Sequence, residues 1–288
     1  MDISISTGSL SGMKLPAVFE MAGRVGADGV ELMLTSRIVE QGVDRIRVIE
    51  HQTRVPVLTA HTVMRLGRTS PSMMARDILT SAEFARSLPR CAALVVHTPE
   101  SATMHNVETK AWLRAIEYAH DLGERSGMRV GVENVGRLSA SDRTGYLDHP
   151  ERLRRLAQEW DVSVTFDTSH AASRNWDLLA SIDKLEPHLA NVHLSDYSRR
   201  DYRLSLANAF LRDHQLPGSG TLPLDALIGK LAADGFGGPL TLELSPFALS
   251  VPLRRLVEAR LRHAVDFCRR ASRTTTPQRH HTGQPGLS

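Results

Sequence analysis

The sequence predicts a single closed (β/α)8 barrel. Three observations predict it: eight short apolar runs, longer stretches of helical periodicity between them, and a length of 288 residues against the about 250 that such a barrel typically uses. The runs are Ile3–Thr7, Gly29–Leu34, Val57–Val63, Ala93–His97, Arg129–Glu133, Val162–Asp167, Leu189–His193 and Leu240–Leu244. Strand–helix alternation kept up along a whole chain argues for βαβ units and a parallel sheet. Near-continuous apolar character suits strands covered on both faces. An open nucleotide-binding sheet is disfavoured: no GxGxxG follows the first run, and no GxxxxGK precedes a Ser or Thr anywhere.

The connecting helices carry their own signals. Pro16, Pro71, Pro150, Pro223 and Pro252 stand where helices should begin, since a fixed φ and a missing N–H suit a first turn. Gly26, Gly127 and Gly235, each shortly before a strand, suit the left-handed position that closes a helix. Val107, Ala111, Trp112, Ala115, Ile116, Ala119 and Leu122 form one apolar stripe at helical spacing. Leu253, Leu256, Val257, Leu261, Ala264, Val265 and Cys268 form another in the last helix. The barrel is expected over residues 1–270. Residues 271–288, rich in Thr, Pro, Gly and Gln, are expected to be a disordered tail with His280 and His281 solvated in it.

Composition narrows the function. Hydrophobic residues at 41% and charged residues at 23% are those of an ordinary globular protein. No apolar run approaches the roughly 18 residues that span a bilayer, so no membrane partner is expected. The opening MDISISTGSLSG lacks the basic region and apolar core of a secretory signal. Cys91 and Cys268, far apart and in apolar contexts, read as free buried thiols, and a cytoplasmic location is the expectation. The pI near 9.1 does not by itself indicate a polyanion partner. Residues 252–288 carry eight Arg against Glu258 and Asp266, which leaves residues 1–251 at −3 within a total of +3. A nucleic-acid groove would spread basic charge over its binding face, so nucleic acid is not the expected partner.

Barrels of this type do chemistry where strands end and βα loops begin. There the second run presents Glu31, the third His61 (LTAHTV) and the fourth His97 (LVVHTP). The fifth ends in Glu133 and Asn134, the sixth in Asp167, Thr168 and His170, the seventh in His193, Ser195 and Asp196, and the eighth in Glu243. Carboxylates ending strands inside an apolar barrel are costly as ions unless paired or coordinated. A divalent cation accounts for the group as a whole, because such ions take several ligands from separate directions.

In combination, VEN, FDTSH, VHLSD, PGSG and LTLELSP resemble the motifs of the xylose isomerase-like TIM barrel superfamily, over essentially residues 1–270. That group holds sugar isomerases, ketose 3-epimerases, inosose dehydratases and isomerases, and metal-dependent apurinic endonucleases of the endonuclease IV type. The resemblance implies that Glu133, Asp167, His193 and Glu243 ligate one divalent metal. His61, His97, His170 and His214 match positions that build further metal sites in the endonuclease branch. Mn2+ or Zn2+ is the expected ion, with Co2+ or Mg2+ compatible. One departure stands out: the endonuclease branch carries an Asp two residues before the loop histidine, where this chain has Arg212. Asp213 is expected to point elsewhere, so a complete three-metal site is not expected.

The resemblance thus implies a metal-dependent isomerase or epimerase acting on a sugar, sugar phosphate or polyol by proton transfer through an enediolate. Glu133 and Glu243 are expected to exchange the proton. His170, Arg199 and Arg200 are the expected substrate-binding residues. Glu31 is expected either to orient a ligating histidine or to pair with a barrel arginine. Lysine at the rim, as in a hydride-shift aldose isomerase, is missing apart from Lys14 in the first loop. The short loops GSLSGMKLP and TSRIVEQG offer little of the wedge chemistry that kinks DNA. An endonuclease IV-like apurinic endonuclease and a non-catalytic barrel subunit remain the alternatives, and a homo-oligomer is left open. Residues 197–214, with Tyr202, Leu204, Leu206, Phe210 and Leu211, are expected to form a lid or an interface.

Overall fold

Strands form where the chain buries both faces at once. β1 (Ile3–Ser6), β3 (Val57–His61), β7 (Leu189–Leu194) and β8 (Leu240–Leu242) are buried at every position. β2 (Gly29–Met33), β4 (Ala93–His97), β5 (Arg129–Glu133) and β6 (Ser163–Asp167) are buried at all but one end residue. The structure, a computed structural model, describes residues 1–273 apart from 65–69, 100, 140, 141, 143, 144 and 252. In it the strands pair in chain order, all parallel, into one closed barrel. Several ladders end earlier than the apolar runs: Thr7, Leu34, Thr62 and Glu243 already belong to the βα connections.

Register sets the level of the chemistry. His97 stands opposite Glu133, Asp167 opposite His193, and Met33 opposite His61. Neighbouring strands therefore bring their polar ends to one rim. The core is tied to that rim directly: the fully buried Trp112 donates its indole N–H to the carbonyl oxygen of His97 at 3.1 Å.

The proline and glycine signals locate most helices. Pro16, Pro71 and Pro150 lie in the first turns of α1 (Leu15–Arg24), α4 (Pro71–Ala85) and α6 (Pro150–Glu159). Pro223 instead caps α10 (Leu224–Ala233) from just outside, and Pro252 lies outside the described residues. Gly127 closes α5 (Val107–Ser126) at φ 75°, and Gly26 and Gly235 take the same left-handed backbone. α12 (Arg254–Arg273) runs past the expected boundary at residue 270, while His280 and His281 lie outside the described residues.

Two stripes need correction at their first turns. Val107 is 84% exposed and Leu253 and Leu256 are 62% and 38% exposed, whereas Trp112, Ile116, Val257, Leu261 and Cys268 are buried. Val107 is the first residue of α5, Leu253 precedes α12 and Leu256 lies in its first turn, so spacing alone overstates the buried face. Besides α2 (Ser36–Gln41), α3 (Val43–Thr53) and α8 (Leu178–Leu185), the connections hold three short helices at the chemical end: α7 (Thr168–Ser173), α9 (Ser205–Leu211) and α11 (Pro246–Leu249). Cys91 and Cys268 are buried free thiols, each pushed up to about 12 by burial. Among the described residues no helix is long and apolar enough to cross a membrane.

Candidate metal centre

The eight nominated His, Asp and Glu side chains meet at this rim in three overlapping groups. Glu133, Asp167, His193 and Glu243 form the centre; His61, His97 and Glu133 form one flank; Asp167, His170 and His214 form the other. Within each group the ligand atoms lie within 4.8 Å of one another. At the centre His193 Nδ1 is 2.7 Å from Glu243 Oε2, 3.1 Å from Glu133 Oε1 and 3.8 Å from Asp167 Oδ2. In the first flank the Nε2 atoms of His61 and His97 are 3.2 Å apart, and Glu133 Oε2 is 3.4 and 3.0 Å from them. In the second, Asp167 lies 3.8 Å from His170 and 4.0 Å from His214, whose rings meet edge-on at 5.1 Å.

These residues fit a divalent cation. Glu133 Oε2, Asp167 Oδ2 and Glu243 Oε2 are buried and make no hydrogen bond within the described structure. Imidazole nitrogens approach them, at 2.7, 3.0 and 3.8 Å, and a cation is the partner that several such buried oxygens and nitrogens share. The mixed imidazole and carboxylate donors suit Zn2+ or Mn2+.

The protein groups alone gather protons, which reports how negative the cluster is. Burial opposes charge on His193, yet Glu31, Glu243 and Glu133 outweigh it and hold the imidazole well above its usual range. Burial likewise opposes charge on His170, but Asp167 and Glu133 push it up to about 10. His61 is raised against burial by Glu133, then Glu31 and Glu243. Burial would raise Glu133, but His193, His97 and His170 hold it well below the carboxylate range. Glu243 is lowered in the same way, His193 and His214 outweighing burial. Of the three ligand carboxylates Asp167 is the one raised, because burial there exceeds the pull of His170 and His214. A metal entering such a site displaces those protons.

Neighbouring polar groups hold the ligands still, and sequence reading did not assign these roles. Asn134 grips Asp167 twice, donating Nδ2–H to its carbonyl oxygen and accepting its N–H. His170 Nδ1 donates to the Asn134 carbonyl at 2.9 Å, which leaves Nε2 as its free nitrogen. Thr168 Oγ1 donates to the Ser195 carbonyl and accepts the Ser195 N–H. Ser169 Oγ accepts the His214 N–H at 3.0 Å. Asp196 accepts main-chain N–H groups from Tyr197, Gly218, Gly220 and Leu222, so it pins the PGSG loop and belongs to none of the ligand groups. The available signal was the unbroken polar run after each strand, in which ligand and clamp residues look alike.

Arg199 and Arg200 are not brought to the cluster. Both are exposed; Arg199 lines a separate cleft with Trp176, Asp177 and Tyr197, and Arg200 stacks over the Tyr202 ring. Arg212 is buried, with Asp213 at 2.8 Å and Asp201 at 2.6 Å, and it donates to the Arg137 carbonyl. The second flank therefore takes its carboxylate from Asp167 and not from Asp213. Residues 197–214 carry α9, whose Leu206 and Leu211, with the preceding Leu204, are exposed.

Over residues 19–271 the sequence matches the family described as xylose isomerase-like TIM barrel. The chain belongs to that family. An uncharacterized protein of Mycobacterium tuberculosis is 29% identical over 287 residues, covering 93% of this chain and 96% of that protein. Solved structures of similar fold include a D-psicose 3-epimerase crystallised in the presence of D-fructose, with a TM-score of 0.72 at 14% identity over 94% of this chain and 99% of that one. The IolI protein with a bound zinc atom gives 0.72 at 15% over 96% and 100%. An AP endonuclease of family 2 from Brucella melitensis gives 0.67 at 17% over 85% and 94%. At these identities the likeness speaks for the fold, which carries more than one chemistry.

Proposed function

We propose that this xylose isomerase-like barrel is a divalent-metal-dependent isomerase or epimerase of a sugar, sugar phosphate or polyol. The observation that carries the reading is the convergence of Glu133, Asp167, His193 and Glu243, three of whose buried carboxylate oxygens make no well-aligned hydrogen bond among the described residues. The shared fold with a D-psicose 3-epimerase and with zinc-bound IolI supports it. Zn2+ or Mn2+ held by these four would polarise a substrate carbonyl and acidify the neighbouring C–H.

The remaining steps belong to the protein. Glu133 is kept ionised by His193 and His97, and Glu243 by His193 and His214, so both are available to accept a proton. Glu243, at 17% side-chain exposure against 1% for Glu133, faces the open side and takes the proton first. Glu133 would reprotonate the other face of that carbon with a proton first drawn from solvent past His97, whose Nε2 is 3.0 Å from its Oε2. Glu243 would release the proton that it took, so that protons balance over a turnover. His170 holds a substrate oxygen through Nε2, the nitrogen that Asn134 leaves free. We also propose a cytoplasmic location, a reading that the two buried free thiols support.

A second reading has its own support: the two flanking groups would give phosphodiester hydrolysis by an apurinic endonuclease additional ions. One pair of assays separates the two. Incubation of ketoses in D2O with Mn2+ should label the carbon next to the carbonyl, and EDTA should stop it. Labelling absent from a broad ketose panel, together with EDTA-sensitive cleavage of an abasic-site duplex, would replace the isomerase by the endonuclease. Neither activity would leave the non-catalytic subunit.

A further inference from the structure

We infer that Glu31 is a positioning residue that decides which ring nitrogen His193 offers to the cluster, selecting Nδ1. Glu31 belongs to none of the three ligand groups and is fully buried on β2, below the rim. The ladder shifts register between Val30 and Glu31, which sets Glu31 opposite Thr59. Its Oε2 receives three donors: Thr59 Oγ1 at 2.9 Å, Asn191 Nδ2 at 3.1 Å and His193 Nε2 at 2.9 Å. A carboxylate oxygen only accepts, so the Nε2 proton of His193 is committed to Glu31. Nδ1 is left facing Glu243, Glu133 and Asp167.

Glu31 is itself fixed by a polar chain across the barrel interior. Thr241 Oγ1 donates to Asn191 Oδ1 at 2.9 Å, which orients the amide so that Nδ2 meets Glu31. Because that hydroxyl has spent its only proton, it accepts from Ser4 Oγ at 2.7 Å. Ser4, Glu31, Thr59, Asn191 and Thr241 come from β1, β2, β3, β7 and β8, so no mobile connection enters the chain. Among the described residues no arginine is a partner of Glu31, and of the two roles expected for it, histidine orientation is the one this geometry supports. Carboxylates in such a place typically change metal affinity 10–100-fold when replaced.

The inference rests on the metal reading above, and the test keeps the two apart. Zinc affinity is measured by chelator competition for the wild type, Glu31→Gln and Glu31→Ala, and fold by circular dichroism. Long-range 1H–15N correlation spectra of 15N-histidine-labelled, zinc-loaded wild type report the His193 ring directly. The expected results are zinc on Nδ1 with a proton on Nε2, and about 10–100-fold weaker zinc binding in folded Glu31→Gln, with a larger loss in Glu31→Ala. Ligation through Nε2, or wild-type affinity in Glu31→Gln, overturns the role of Glu31 and leaves the metal site standing. Failure of the wild type to take up zinc overturns both. If Glu31→Ala does not fold, the isosteric variant and the wild-type spectrum decide.

Discussion

The two histidine flanks serve the same centre but are built from different material. His61 and His97 end β3 and β4, inside the ladder, and their positions follow from strand register. His61 is further held by its Nδ1 donating to the Thr62 carbonyl. His170 stands in a six-residue helix, and His214 sits on a connection with left-handed backbone at φ 53°. A non-glycine residue there costs on the order of 1–2 kcal/mol, and surrounding bonds must hold it. Those bonds are the Ser169 hydroxyl on its N–H and the Ser195 hydroxyl beside its ring, at the end of a segment latched by Arg212. One flank is therefore part of the barrel, and the other depends on a connection staying in place.

Glu133→Gln breaks the comparison at its root, because Glu133 belongs to both the centre and the strand-borne flank. Turnover should fall about 100-fold or more, as loss of a general acid–base group does, with circular dichroism unchanged; full activity would remove Glu133 from the mechanism. Arg212→Ala should loosen only the loop-borne flank. Leaving Asp213 buried and unpaired should cost about 3 kcal/mol in denaturant unfolding, and hydrogen exchange should quicken in residues 197–214 while β3 and β4 stay protected. Equal quickening everywhere would mean that the latch is not local.

Smaller effects sharpen the contrast. In zinc titrations the isomerase reading expects the centre alone to fill. Under the second reading, in which the flanks take further ions, the strand-borne flank should fill before the loop-borne one, by about tenfold if ordering the connection costs on the order of 1.4 kcal/mol. His97→Ala should then delete the tighter flanking step and His214→Ala the weaker one. Stability against pH gives the finest test. The proton on His170, held up to about 10 against the usual 6.5, adds stability that is complete below pH 6.5 and lost as the pH rises through 10. Chelator-treated protein should lose stability across that window in denaturant unfolding measured at each pH.

Much of this was readable from the chain. Glu133, Asp167 and His193 stood out because a polar residue ending an apolar strand has few structural reasons to be there. The strand-borne flank was legible for the same reason. The polar chain from Ser4 to Glu31 was not: each member is a single polar residue within an apolar run, and its partners lie up to 237 residues away. Arg199 and Arg200 are exposed on the connection after β7, and position after a strand does not say where a loop side chain points. Asp196 looked like a site residue, yet its four N–H partners come from a turn that only the folded chain brings to it.

Elemental analysis of the purified chain, after saturation with Mn2+ or Zn2+ and removal of free ion, tests the metal-holding rim most directly. At least one divalent ion per chain in the wild type, and a clear loss of it in folded Glu133→Gln, is the predicted result. A wild-type chain that retains no ion under the same conditions would contradict the account.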